Sequence, residues 1–386
     1  MKKILAMILS ASLMLCALAS CGQTGDNESK SSDTSSDVIS SAETGSSDDT
    51  ASTPAESEAS SEVSDNSAAA EALRSEFLKK ADEVIINDDS VTFKDASGKD
   101  SITIKKNPGN VVNLYASFTT LWYEAGGTVT GLIGGSSSVA LYEEYIGRDI
   151  TADEGITTVA TSSSGKKWDT ETIIALNPEL IICSTAMSGY ATIEAPAEAA
   201  NIPVIAMSYN DFSDYLKWFK VFSNLTGHTE LWDEVALKAL DEVVDILLAC
   251  PTENTPSVFS MFSSADKLQA NTSGTVVGGM IDAMNAKNIV DDWEGASDSE
   301  RIDINLETVY AANPDIILVQ CHAGKEDAEA LVASLYGDNP VWQSLDAVKN
   351  GKVFYLEKNL FHNKPNNRFA EAYKVLAGYL YPDTDF

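Results

Sequence analysis

Basic side chains are scarce in this chain. Lys and Arg number 26 against 58 Asp and Glu, a formal net charge of −32. A surface this acidic is poorly suited to gripping nucleic-acid phosphates or adhering directly to anionic lipid. Cysteine is also sparse. After Cys21 only Cys183, Cys250 and Cys321 remain, an odd number with no CxxC spacing, so no disulfide framework is expected. The three histidines, His228, His322 and His362, are scattered, whereas capture of a bare divalent metal wants a cluster of His and carboxylates. HExxH, GxxxxGK[ST] and GxSxG are all missing, and "GGTVTGLIGGSSS" (126–138) lacks the G-x-G-x-x-G spacing. Metalloprotease, P-loop and serine-hydrolase signatures are therefore absent. The chain is not expected to be an enzyme, and no resident metal or cofactor is expected.

Long apolar runs are likewise missing, apart from one at the start. Lys2 and Lys3 precede an apolar stretch that reaches Ala19 and is broken by Ser10 and Ser12. It is short for a membrane span and reads as a secretory signal over residues 1–20. The stretch ends in "LASC", which resembles the bacterial lipobox, so Cys21 is the expected lipidation site. Diacylglyceryl and N-acyl chains together anchor stably where a single chain does not. From 22 to 70 there are eleven carboxylates, one Lys (Lys30) and almost no large apolar residue. Such a composition cannot offset its own ordering entropy, and residues 21–70 are expected to be the lipidated Cys followed by a disordered Ser/Asp/Glu tether. Forty-nine flexible residues span roughly 40 Å.

The rest, 71–386, is too long for a single ordinary core, so two lobes are expected. Helical spacing marks a short leading helix from 69 to about 84, and β-rich runs flank the turn Asp95–Gly98. "NVVNLY", "SFTTLWYEAG" and "VTGLIGG" then follow as strand, helix and strand, the pattern of a parallel βαβ unit. "ETIIALNPELII" (171–182) returns 136 residues later as "ETVYAANPDIIL" (307–318), with Glu-Thr, Ala and Asn-Pro at matching positions. Each copy reads as a helix broken at Asn-Pro and followed by a buried strand. Between the copies, "TELWDEVALKALDEVVDILLAC" (229–250) carries Leu231, Val235, Ala239 and Val243 every four residues. That spacing predicts a long amphipathic helix, halted at Pro251. The expected plan is α/β, two Rossmann-like lobes of similar design joined by one bridging helix. The N-lobe is 71–227, the bridge 228–250 and the C-lobe 251–386.

This arrangement resembles the substrate-binding proteins of bacterial ABC importers, within them the helical-backbone group that serves iron–siderophores, haem and vitamin B12. The resemblance runs over essentially all of 91–386. Its carriers are "VTFKDASGKDSITIKKNPGNVVNL", the two Asn-Pro phrases, "NPVWQSLDAVKNGKVFYL" and "FHNKPNNRFAEAYKVLAGYLYP", in the family's order. It implies a monomeric, extracytoplasmic, lipid-anchored periplasmic-binding-protein-like molecule on the outer face of the cell membrane, delivering a small metal chelate to a permease and its ATPase. The family often sets a Glu at each lobe's apex to meet permease arginines. Here Glu194 is a loose match, and the C-lobe position holds Gly279, with Asp282 the nearest acid. The loop "SSSGKKW" matches no ligand-specific motif.

In open α/β sheets ligands bind beyond the carboxyl ends of the strands. Strand ends nominate Tyr115, Ser117, Phe118, Trp168, Met187, Tyr190 and Tyr209 in the N-lobe. In the C-lobe they nominate Met261, Phe262, His322, Lys325, His362, Lys364 and Arg368. Aromatic walls with a few basic groups suit a bulky anionic chelate, because rings stack and cations hold carboxylate or catecholate oxygens. An iron(III)–siderophore is the first expectation, and haem or cobalamin the alternative. His322 or His362 would suit an axial ligand to iron or cobalt, although a lone loop histidine is more often a hydrogen-bonding surface residue. For each aromatic the competing role is ordinary core, and for Met187 and Met261 core packing is the better expectation.

Overall fold

The computed structural model describes residues 55–386 except 163–165 and 167, with side chains described from 66 onward. The expected signal, Cys21, the tether up to residue 54 and most of "SSSGKKW" lie outside the described residues. The chain divides into two units, Met1–Ala69 and Ala70–Phe386. One helix, Ala55–Asp82, runs through the boundary. Residues 55–70, expected from composition to be unstructured tether, are thus helical, and the leading helix starts well before 69. Ala and Glu recur there, and strong helix formers satisfy their backbone hydrogen bonds without needing a core. Toward its end the helix buries Phe77 and Ala81.

A three-stranded antiparallel meander follows, β1 (Ile85–Ile86), β2 (Ser90–Phe93) and β3 (Ile102–Lys105). The expected β2–β3 hairpin is present, with Val91 opposite Ile104. The N-lobe sheet comprises β4 (Val111–Asn113), β5 (Gly131–Ile133), β6 (Thr157–Ala160), β7 (Leu180–Ser184) and β8 (Val204–Met207), all parallel in the order β6-β5-β4-β7-β8. Every residue of β4, β5 and β7 is buried. Continuous apolar strands are what a sheet covered on both faces requires.

The C-lobe sheet comprises β9 (Ser257–Ser263), β10 (Leu268–Asn271), β11 (Lys287–Asn288), β12 (Arg301–Asp303), β13 (Ile316–Cys321) and β14 (Val353–Leu356). Its order is β12-β10-β9-β13-β14, with β11 also on β9. The two lobes are less alike than expected. β9, β13 and β14 run parallel, but β10 pairs antiparallel with both β9 and β12. The chain reverses tightly after β9, where the Ser264 amide donates to the Lys267 carbonyl at 2.9 Å. That turn replaces a helical crossover and brings a polar edge strand, β12, into the sheet.

Both Asn-Pro phrases form the same device. Asp169 caps the helix Thr170–Ala175 by accepting from the Thr172 amide, and Asn305 caps Leu306–Ala312 by accepting from Glu307 and Thr308. Asn177 and Asn313 end these helices in the left-handed region, at φ 48° and 40°. Asn tolerates that conformation, while the following Pro disfavours continued helix.

Alternation along the strands divides the interior. Val111, Leu180 and Ile182 face a core shared by both lobes, as do Val258, Ile316 and Leu318. Val112, Ile181 and Cys183 face a second core in the N-lobe, and Phe259, Ile317 and Val319 a third in the C-lobe. The shared core is filled by the helices Phe212–Thr226, Lys238–Ala249 and Phe369–Leu380, through residues such as Trp218, Phe222, Leu240, Val244 and Leu376. The bridge is not uniformly α-helical. A π-helical stretch, Trp232–Leu237, leads into Lys238–Ala249. Spacing of four residues drifts roughly 40° per step on an α-helix, and a wider turn absorbs the drift at the start of the run.

Truncating the second cap, Asn305→Ala, is expected to cost about 0.5–2 kcal/mol in urea denaturation, with the slope of the transition unchanged.

Candidate ligand-binding site

Three parallel strands of the N-lobe end at one place. Tyr115 and Phe118 follow β4, Ser184 to Ala186 end β7, and Ser208 to Asn210 follow β8. With Glu300 and Lys364 of the C-lobe they line a cavity of about 270 Å³ between the lobes. Parallel strands put their carboxyl ends on one side, and side chains after those ends meet there.

The aromatic wall is continuous. The Tyr115 and Phe118 ring centroids lie 4.6 Å apart, and Phe118 stacks with Tyr209 at 6.2 Å. The Lys364 ammonium sits 5.2 Å from the Tyr209 ring centroid. Burial pushes the Lys364 pKa down to about 8, with the nearby Arg301 adding to the depression.

Asn366 fixes this wall. It is fully buried, adopts φ 51°, and belongs to the C-lobe loop that carries Lys364. Its amide nitrogen donates to the Ser117 carbonyl at 3.1 Å and the Thr120 hydroxyl at 2.9 Å, and its oxygen accepts from the Tyr209 hydroxyl at 3.3 Å. One C-lobe side chain is thus built into the N-lobe floor. Arg368 pairs with Glu144 across the lobes and with Glu371 at 2.7 Å. Asn359 also donates to Glu144, and its carbonyl accepts from the Tyr145 hydroxyl at 3.2 Å.

The C-lobe contributes a second cluster. His322 Nδ1 and His362 Nε2 are 2.9 Å apart. Phe262 stacks on His362 at 5.4 Å, and the Arg301 guanidinium lies 4.1 Å from the Phe262 ring centroid. Burial first, then the neighbouring His322 and the cations Arg301, Lys358 and Lys364, push His362 down to about 3. Burial, Lys358 and Arg301 likewise lower His322. A buried polar network sets the cluster in place. Asn271 accepts from Arg301 Nε at 3.1 Å and donates to Gln320 at 3.2 Å, and Gln320 donates to the Phe361 carbonyl beside His362.

Of the residues expected from strand ends, Tyr115, Phe118, Tyr209 and Lys364 line the cavity, and Phe262, His322 and His362 form the second cluster. The others lie elsewhere. Ser117 is buried and offers its backbone carbonyl to Asn366. Trp168 is core, with Met187 packed on the same group. Met261 is fully buried, on the opposite face of β9 from Phe262. Tyr190 donates to Glu194 at 3.1 Å and lines a separate groove beside the β2–β3 hairpin. Lys325 is exposed at the start of Lys325–Tyr336 and pairs with Glu329. Arg368 is consumed by its two carboxylates. Asp282 lies at a surface depression with Ser273 and Asp291. Sequence reasoning missed Glu300, Arg301, Asn366 and Ser208. The first two sit at an antiparallel edge strand that the parallel-sheet rule does not nominate. The doubled Asn in "KPNNRF", after a Pro, was the available signal for Asn366.

Cys183, Cys250 and Cys321 are free and buried, which bears out the expectation of no disulfide framework among the described residues. Among those residues, no helix is long and apolar enough to cross a membrane.

Residues 111–360 match the family model described as "Periplasmic binding protein". The chain belongs to the periplasmic binding protein family. It is 24% identical over 299 residues to the uncharacterized ABC transporter substrate-binding lipoprotein YvrC of Bacillus subtilis, covering 76% of this chain and 86% of that protein. It is 23% identical to the Fe(3+)-citrate-binding protein YfmC of the same organism, over 70% of this chain and 79% of that one. The crystal structure of Staphylococcus aureus IsdE complexed with heme superposes with a TM-score of 0.57 at 16% identity, covering 70% of this chain and 98% of IsdE. Such a likeness shows the fold. This periplasmic binding protein is a transport-type binding protein and not an enzyme.

Two outcomes follow from the geometry. Asn366→Ala strands three hydrogen-bonding groups in a buried site and is expected to destabilise the protein by about 2–4 kcal/mol in chemical denaturation. An anion bound beside Lys364 raises that lysine's pKa, so binding should take up a proton between pH 8 and 10.5. Anion affinity is then expected to fall as pH rises through that window, and Lys364→Met should flatten the profile; calorimetry in two buffers reads both effects.

Proposed function

We propose that this protein is the lipid-anchored substrate-binding component of an ABC importer, which captures an iron(III)–siderophore between its lobes and delivers it to a membrane permease and its ATPase. The observation that carries this reading is the cleft itself. In a chain of net charge −32, Lys364 and Glu300 line an interlobe space walled by Tyr115, Phe118 and Tyr209, and Arg301 over the Phe262 ring adds a second cation on the C-lobe. Stacking surfaces together with cations that outnumber Glu300, the acid lining the cavity, suit a bulky anionic chelate. The Fe(3+)-citrate relative supports the same chemistry, and the lipoprotein relative supports lipidation at Cys21. Closure is modest, because the helical bridge and the Asn366 contacts restrain the lobes, and ligand release depends on the difference in affinity between the two states. Glu194 and Asp282 are the proposed permease-docking acids, one on each lobe.

Haem or cobalamin is the second reading, favoured by the paired imidazoles His322 and His362 beside Phe262. A sensor lipoprotein on the same fold is the non-transport alternative, distinguished by the absence of neighbouring permease and ATPase genes. Titration of Trp fluorescence against ferric hydroxamates, ferric catecholates, haem, cobalamin and metal-free siderophores separates the ligand classes. Saturable quenching by a ferric chelate, with weaker response to its metal-free form, is expected. Response to haem or cobalamin alone would replace the first reading by the second, and silence toward all of them would sink the importer assignment.

A further inference from the structure

We propose that Lys80, near the end of the leading helix, is a positioning residue for anionic cargo, because it holds and neutralises two carboxylates behind the cavity wall. This rests on the importer reading and adds to it a part of the chain outside the matched family segment. That segment begins at residue 111, whereas the leading helix ends at Asp82.

The end of this helix is fastened to the elements around the cavity. Phe77 is buried edge-on against Phe212, with ring centroids 5.3 Å apart, and Arg74 pairs with Asp241 of the bridging helix. Lys80 Nζ donates to Asp211 Oδ2 at 2.8 Å and to Asp214 Oδ1 at 2.7 Å. Asp214 carries the connection inward. Its side chain is only 14% exposed, and its second oxygen accepts from the Asn210 amide at 2.8 Å. Asn210 lines the cavity together with Ser208, Tyr209 and Lys364. Asp211 caps the helix Phe212–Thr226 by accepting from the Asp214 amide at 2.7 Å. The two carboxylates are thus tied to each other as well as to one ammonium.

Anchoring of the helix would by itself account for an ion pair at Lys80, and two further observations point to the cavity. First, among the described residues no other cation pairs with Asp211 or Asp214. Lys217, the other cation close to Asp214, donates its ammonium to the Lys94 carbonyl at 2.6 Å. Two adjacent carboxylates repel each other once their shared partner is lost, and one of them is the group that holds Asn210. Second, both aspartates act on the cation inside the cavity. Glu300, Asp214 and Asp211 favour the protonated form of Lys364, against burial and Arg301. His362 is a further titratable neighbour, itself lowered by Lys364. Negative charge that holds a proton on Lys364 also repels an anion arriving beside it. Lys80 offsets that repulsion from behind the wall, without lining the cavity itself.

The test first follows Lys364 in the full chain without ligand, then measures binding of iron(III)–citrate by Trp fluorescence. NMR of lysine-labelled protein reads the titration midpoint of Lys364 through its Cε shift, assigned with Lys364→Met. From about 8 in the unmodified chain, the midpoint is expected to rise in Lys80→Met, where both aspartates act unopposed. It is expected to return in Lys80→Arg, which restores the charge. Affinity for iron(III)–citrate at pH 7 is expected to fall by about threefold or more in Lys80→Met and to recover in Lys80→Arg. An unmoved midpoint in Lys80→Met, or a shift that Lys80→Arg does not reverse, would reduce Lys80 to a helix anchor and overturn the proposal. Undiminished iron(III)–citrate affinity in Lys80→Met would also overturn it, while leaving the importer reading intact. A reversible midpoint shift in a protein that binds no ferric chelate would uphold the action of Lys80 on the cavity and count against the importer reading.

Discussion

The insertion of Asn366 into the N-lobe floor is the contact on which the geometry of the cleft depends. A C-lobe side chain satisfies the Ser117 carbonyl and the Thr120 and Tyr209 hydroxyls at once, and it does so where water cannot substitute. Leaving those groups unmet costs more than the bonds themselves contribute. The loop carrying His362 and Lys364 is therefore held against the N-lobe wall instead of moving freely with its own sheet. Glu144, meeting both Arg368 and Asn359, secures the same loop from the other side.

Beneath this contact lies a core that belongs to neither lobe. Alternating strand residues from both sheets face the same set of helices, Phe212–Thr226, Lys238–Ala249 and Phe369–Leu380. Separating the lobes would expose that packing, so large hinge opening is costly and small rocking is not. The charge arrangement follows a similar logic. The surface is acidic, while Lys364 and Arg301 form no salt bridge among the described residues and sit at the C-lobe side of the cleft with Glu300 beside them. Arg368, equally basic, is neutralised by Glu144 and Glu371 and serves as structure.

Much of the fold was legible because its signals are local. A helix that must stop at Asn-Pro and a strand buried on both faces write themselves in a dozen residues, and both copies appear where the sequence places them. The bridge was legible in position, although its first turns are π-helical. The antiparallel β10 and β12 were not foreseen, because a short turn after β9 competes with a crossover only through long-range pairing. Composition also misjudged 55–70, where helix propensity outweighs the lack of apolar residues.

The site was legible only in part, for a geometric reason. Strand ends brought forward Tyr115, Phe118, Tyr209 and Lys364, which the structure gathers at one cavity, and Phe262, His322 and His362, which it gathers in a second cluster. The same rule also raised Met261, whose neighbour Phe262 faces the other way, and Tyr190, which turns toward Glu194. Alternation makes adjacent residues opposite, and register decides which one faces the cleft. The sequence by itself determined the two-lobed α/β plan, the acidity and the family, since these rest on periodicity, composition and contiguous motifs. Only the tertiary structure decided that His322 and His362, forty residues apart, share one edge of the cleft, and that Asn366 joins the lobes. Such contacts depend on how two sheets are set against each other, which no local stretch of chain encodes.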